Sequence, residues 1–294
     1  MRYLLLLVCC CCAFVTDKPA YLLYNQKLKP TSYQKLLKEA SGADIVFFGE
    51  LHNNPICHWL ELQMAKDLHS AKKQNLIYGA EMFETDNQAA LDDYLSGKSD
   101  AGQFKKDARL WNNYNTDYKP IVEFAKRERI PFIATNIPRR YASAVARKGL
   151  ASLDTLSATD KAFIAPLPLT VNLELPGYKA MLDMMKDHGG TGPTGTNSSE
   201  TAANFARAQA IKDATMADRI LKAWTPGKTL LHFNGDYHSK NFEGIVWYLK
   251  QKNPALKIVT LSSIELVDIT KPDKSNENLA DFILSIPADM TKTY

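Results

Sequence analysis

Two short stretches carry residue types suited to metal or acid–base chemistry: Gly49-Glu50-Leu51-His52 and Gly235-Asp236-Tyr237-His238, each a Gly-x-x-His motif with a carboxylate inside it. With 14 glycines and 6 histidines in 294 residues, roughly 0.3 such matches arise by chance. Two of them, each directly after an apolar run, ask for a physical reason. Glycine there permits a sharp turn or a close backbone approach, so that the histidine stands over a sheet edge. A further acidic pair, Glu81 and Glu84, follows another apolar run, with Glu84 expected one helical turn after Glu81. Two imidazoles with several carboxylates suit a divalent metal such as zinc or manganese, and the expected ligand set is His52, His238, Glu81, Glu84 and Asp236. A carboxylate left off the metal, Glu50 or Glu81, would act as general base on bound water.

The other candidates read more blandly. His58 and His69 fall on a helix after Pro55, and His232 alternates with apolar neighbours in a strand, which suits surface or satisfied core histidines. Cys57 points about 100 degrees away from His58 on a helix and reads as a buried small apolar residue. Gln209, Asp213, Met216 and Ile220 form one helical stripe that either crosses a pocket or grades from core to surface. Arg139 and Arg140, opening a helix after Ile137-Pro138, either clamp an acidic ligand group or are solvated.

Stepping out from these residues, the elements that must position them are strands at 45–48, 76–78, 131–134, 229–233 and 257–261, each a short buried apolar run. Helical spacing occupies 33–40, 56–70, 87–95, 119–129, 139–148, 201–224 and 242–250. Strands alternating with helices predict an α/β fold: three layers around a central, mostly parallel sheet. Ligands of such sheets bind at the strand carboxyl ends. Four predicted strands end there in Glu50 and His52, in Glu81, in Thr135-Asn136, and in Asp236 to His238, so these groups are expected to share one rim. Residues 150–199 break the alternation with prolines and a glycine-rich run at 189–195, and are read as a helical or loop insertion. That run lacks the Gly-Lys-Ser/Thr ending of a phosphate loop.

The first residues differ in kind. Met1-Arg2 followed by apolar or Cys residues to Val15 is a signal-peptide pattern, placed at 1–16, and is shorter than the ~20 residues of a membrane-spanning helix. Four of the five cysteines, Cys9 to Cys12, lie in it, and Leu6-Leu7-Val8-Cys9 loosely resembles a lipoprotein cleavage signal. The expectation is therefore export to the periplasm or cell envelope, with membrane attachment through a lipid anchor as in outer-membrane lipoproteins. Residues 17–294 are read as a single domain. Only Cys57 remains there, so its core must stabilise it without a disulfide. A composition of 45% hydrophobic and 23% charged residues fits a globular chain, and a net charge of +4 without a basic stripe argues against nucleic acid.

Together the motifs resemble the ChaN-like haem-binding uptake proteins of the Tiki/TraB/erythromycin-esterase superfamily. The matching stretches are Phe47-Phe48-Gly49-Glu50-Leu51-His52 with Asn54-Pro55, Gly79-Ala80-Glu81-Met82-Phe83-Glu84, residues 111–125, Asn136-Ile137-Pro138-Arg139-Arg140-Tyr141, and residues 208–217, which lie within 44–248. The resemblance implies an α/β core with an insertion, lipid-anchored export, and haem binding for iron acquisition, with homodimerisation as an option. The expected haem contacts are Asn136, Arg139 and Asp213. Tyrosine ligation is associated with such proteins; no tyrosine matches a family motif, and Tyr178 in the insertion is taken as the candidate. Asp236 stands where these proteins often carry an uncharged residue, a departure that favours metal or acid–base chemistry. Related branches are metal-dependent proteases or esterases built on the same motifs, so a metal-dependent hydrolase is the alternative to a haem binder.

Overall fold

In the computed structural model, side chains of the strand Ile45–Glu50 (β2) alternate between two apolar faces: Val46 and Phe48 enter one buried cluster, Ile45 and Phe47 another. The same division separates Leu231 from Leu230 on Thr229–Gly235 (β5). A strand buried on both faces must be covered on both, which makes three layers. The structure describes residues 17–187 and 198–294. Residues 1–16, read as a leader, with Cys9 to Cys12, His188 and the glycine-rich run at 189–195 lie outside the described residues.

The sheet has seven strands. Besides β2 and β5 they are Leu22–Asn25 (β1), Leu76–Glu84 (β3), Phe132–Asn136 (β4), Ile258–Leu266 (β6) and Phe282–Pro287 (β7), in the order β1-β7-β6-β2-β5-β3-β4. All neighbours are parallel except β1 and β7, which pair antiparallel at one edge. The sequence reading has five strands and omits this edge pair. Strand β1 is only four residues long and half-buried, so it carries almost no periodic signal of its own.

One face is covered by Tyr33–Ser41 (α1), Pro55–Lys72 (α2), Gln88–Leu95 (α3), Ala101–Asp107 (α4) and Lys119–Glu128 (α5). The other carries Arg139–Lys148 (α6), the short Ala158–Lys161 (α7), Pro176–Asp187 (α8), Ser198–Ala223 (α9) and Ile245–Lys252 (α10). The insertion is tied down where α8 begins: the Gly177 N–H donates to the Glu243 carboxylate at 2.6 Å. Among the described residues no helix is long and apolar enough to cross a membrane.

Two local features aim the site. Asn54 caps α2, its side-chain oxygen accepting from the Ile56 N–H at 3.0 Å, and Pro55 opens the helix with a preset φ. The first turns of α2 are thereby set against the end of β2. On β3 the pairing with β4 slips between Ala80 and Glu84, a bulge that re-aims the side chains at the strand end.

Candidate functional site

The strand order places β5 between β2 and β3, so the two Gly-x-x-His motifs leave adjacent strands, with Glu50 in register with Gly235. Each motif's glycine makes room for the other motif. A Cβ on Gly235 would lie 2.7 Å from the His52 ring, and one on Gly49 would lie 2.8 Å from both Asp236 Oδ1 and the Leu261 carbonyl. Neither glycine has a positive φ. Close approach, rather than a special backbone turn, is therefore what excludes a side chain.

Around this contact lie two clusters. In the outer one, His238 is held between two carboxylates, its Nδ1 2.5 Å from Asp213 Oδ1 and its Nε2 3.2 Å from Glu81 Oε1. The other oxygen of Glu81 accepts the Gly235 N–H at 2.8 Å, and that of Asp213 accepts the Tyr178 hydroxyl at 2.6 Å. All four side chains are buried or nearly so. Burial alone would lower the His238 imidazole, but the charges of Glu81 and Asp213 and their hydrogen bonds outweigh it and push it up to about 10. Burial would likewise raise Glu81, yet His238 and then His52 hold its carboxyl well below the usual range. The chain Tyr178–Asp213–His238–Glu81 is thus an imidazolium between two anions, with a partner on each carboxylate oxygen.

The inner cluster lies on the α2 side of the sheet. Glu50 Oε1 accepts from His52 Nδ1 at 2.6 Å and from the Tyr118 hydroxyl at 2.7 Å. Tyr118 ends a π-helical turn, Tyr114–Tyr118, a geometry that often marks functional positions. On α2, His58 and Glu61 stand three residues apart on one helix face: His58 Nδ1 is 3.0 Å from Glu61 Oε2 and 3.5 Å from Glu50 Oε2. Burial, then the neighbouring Glu50 charge, raises Glu61 well above an ordinary carboxyl. For Glu50, burial works in the same upward direction but the hydrogen bond of His52 prevails, and its carboxyl is lowered.

The expected metal set does not assemble as one group. His52 and Glu81 meet at Gly235, and His238 joins them through Glu81. Both ring nitrogens of His238 face carboxylates, which leaves no lone pair for an ion. Glu84 pairs instead with Arg109 at 2.8 Å, because the strand continues to Glu84 and no helical turn brings it beneath Glu81. Asp236 folds back over Gly49, and burial raises its carboxyl to about 6. Among the haem contacts, Asp213 is bound between His238 and Tyr178, Asn136 is buried at the end of β4, and Arg139 is exposed on a cleft rim. Tyr178 is 4% exposed and its hydroxyl is committed to Asp213, so it does not face an open cleft as a haem ligand must. His232 is a satisfied core histidine, bonded to Thr135 and Asn234.

The sequence reading does not place His58, Glu61 and Tyr118 in the site, nor Asp117, whose Oδ2 lies 3.5 Å from His58 Nε2. The signal available was the i, i+3 pair of polar side chains on the face of α2 that carries Cys57, Leu60 and Met64 into the core.

Beside His52, whose ring meets Trp111 edge-on at 5.1 Å between centroids, opens a cleft of about 660 Å³. It is lined by Glu84, Arg109, Leu110, Trp111, Asn112, Asn113, Thr116, Arg139, Thr293 and Tyr294. Its size is that of a small-molecule or cofactor site.

The fold recurs in solved structures of other proteins. The structure of ChaN from Campylobacter jejuni, described as binding haem cofacially, superposes with a TM-score of 0.67 at 18% identity, covering 90% of this chain and 96% of that one. A Bacillus cereus protein (TM-score 0.49, 10% identity, 86% and 90% covered) and an erythromycin esterase in an open conformation (0.46, 11%, 90% and 83%) are more distant. At these identities the likeness is one of fold. No curated protein matches the sequence. The sequence model described as haem-binding uptake, Tiki superfamily, ChaN matches residues 36–249. Most of the chain thus lies within that match, and the protein belongs to the ChaN family of the Tiki superfamily.

Proposed function

We propose that this chain binds haem in the cleft beside His52. The observation that carries the reading is the cleft itself, which joins three kinds of group a haem needs. Trp111 and Leu110 offer an apolar wall to the macrocycle. The guanidiniums of Arg109 and Arg139 stand where propionates can be paired. Tyr294, 70% exposed at the cleft, carries a phenol of the type that ligates haem iron. The relative from Campylobacter jejuni, described as a haem binder, supports the same reading. His52 stands behind Trp111 and is held by Glu50, as an orienting rather than a liganding group.

Titration of the protein with hemin, followed at the Soret band, tests this. A saturable shift is expected. Tyr294→Phe should change its spectrum, and Arg109→Ala or Arg139→Ala should weaken affinity roughly tenfold, as for loss of one charge-assisted hydrogen bond. No saturable shift in the unmodified protein sinks the proposal.

The signal-peptide pattern of residues 1–16 supports export to the cell envelope, where haem binding would serve iron acquisition. Cell fractionation with detection of an acylated cysteine among Cys9 to Cys12 tests that step. A hydrolase reading is favoured by one feature, the His52–Glu50 dyad facing the Glu81–His238 pair, since a carboxylate-oriented imidazole is a general base. Hydrolysis of ester or peptide substrates that is lost in His52→Ala, without any Soret response, would establish it instead.

A further inference from the structure

We propose that Glu50, His58 and Glu61 form a binding site for one divalent cation of the zinc, cobalt or manganese class, separate from the haem cleft. His58 Nε2 lies 3.0 Å from the His52 carbonyl, which can only accept, so Nε2 carries the proton and donates. In the neutral ring this leaves Nδ1 as the nitrogen free to ligate, and it faces Glu61 Oε2 at 3.0 Å and Glu50 Oε2 at 3.5 Å. Glu50 is 1% and Glu61 0% exposed, and one oxygen of each, Glu50 Oε2 and Glu61 Oε1, has no hydrogen-bond partner. Buried carboxylate oxygens without partners are costly, and a cation relieves all of them at once.

The chemistry of the donors defines the ion. One imidazole and two carboxylates, with ligand atoms all within 4.8 Å of one another, suit a borderline divalent metal, and two negative charges balance its two positive ones. The supporting contacts resemble those of built metal sites: the second nitrogen of the histidine is fixed by a carbonyl, and the second oxygen of Glu50 by Tyr118 and His52. Among the described residues this is the one group of three such side chains with that spacing. The inference is independent of haem binding.

The test uses the full chain, freed of metal with a chelator and titrated with Co²⁺ in the absence of haem. One equivalent should bind with visible d–d bands, raise Tm, and release on chelation. Glu61→Gln and His58→Gln should abolish the bands, and Glu81→Gln, in the outer cluster, should keep them. Absence of saturable Co²⁺ binding, meaning that protons alone bridge the trio, overturns the proposal. So does loss of binding in Glu81→Gln with retention in Glu61→Gln, which would put the ion at the outer cluster. If the inner variants fail to fold, the unmodified protein decides: a Tm that neither Co²⁺ nor chelator moves is a negative result.

Discussion

The outer and inner clusters are built from the same residue types, histidine and carboxylate, at similar burial, yet their internal accounts differ. In the outer one, His238 donates to Asp213 and Glu81, and the remaining oxygens take Tyr178 and the Gly235 amide. Donors and acceptors match, so the protein completes this cluster by itself. In the inner one, the His52 carbonyl accepts from His58 Nε2, and Glu50 Oε2 and Glu61 Oε1 are left without hydrogen-bond partners. The difference teaches that what separates a self-contained buried cluster from one open to a ligand is whether the protein supplies a donor for every carboxylate oxygen.

Removing the cation from the outer cluster should break the comparison most severely. His238→Ala leaves Glu81 and Asp213 buried and unpaired, and should cost about 3–5 kcal/mol in denaturant unfolding. An effect below about 1 kcal/mol would mean that water reaches and solvates the pair.

The same cluster sets the pH dependence of stability. His238 is raised to about 10 from 6.5, so its contribution is complete below about pH 6.5 and is lost as pH rises through 10. Glu81 is depressed, so its contribution is present above its ordinary 4.5 and is lost as acid protonates it. Melting temperature should therefore form a plateau between about pH 4.5 and 6.5 and fall progressively from there to about pH 10, with that fall absent in His238→Ala. A wild-type curve that stays flat from pH 6.5 to 10 would contradict the charged state of His238.

A smaller change sharpens the contrast. Tyr178→Phe removes the hydrogen bond to a charged Asp213 oxygen and should cost about 1.5–3 kcal/mol, while leaving the hemin Soret spectrum as in the parent protein. Loss of that spectrum would restore Tyr178 as an iron ligand.

Gly235→Ala tests the contact between the motifs. The added Cβ must displace the His52 ring, at about 1–3 kcal/mol for overpacking. The effect should disappear when His52 is also alanine, measured as a double-mutant cycle. The smallest effect is expected at the surface: Arg109→Ala loses exposed ion pairs to Glu84 and Asp86, worth about 0–1 kcal/mol.

Much of the architecture is legible along the chain. Apolar runs at 45–48, 76–78, 131–134, 229–233 and 257–261, separated by helical spacing, suffice for a parallel sheet with both faces covered, because burial on two faces leaves no polar alternation. The strand-end rule then marks Glu50, His52, Glu81 and His238 as neighbours before any coordinate is known. Local sequence also encodes the α2 start, since Asn54-Pro55 is a cap and a preset φ.

What tertiary structure alone decided is pairing. His58 and Glu61 lie on a helix whose sequence fits a surface or core reading equally, and only packing of α2 against the end of β2 brings them to Glu50. Asp213 and Tyr178 come from helices α9 and α8, and no spacing along the chain predicts their hydrogen bond. The glycines of the two motifs were visible in the sequence, but not that each makes room for the other strand's side chain. Periodicity is a property of one segment and can be read from it. A hydrogen bond between segments depends on register and crossing angle, which are set by the packing of all the layers together.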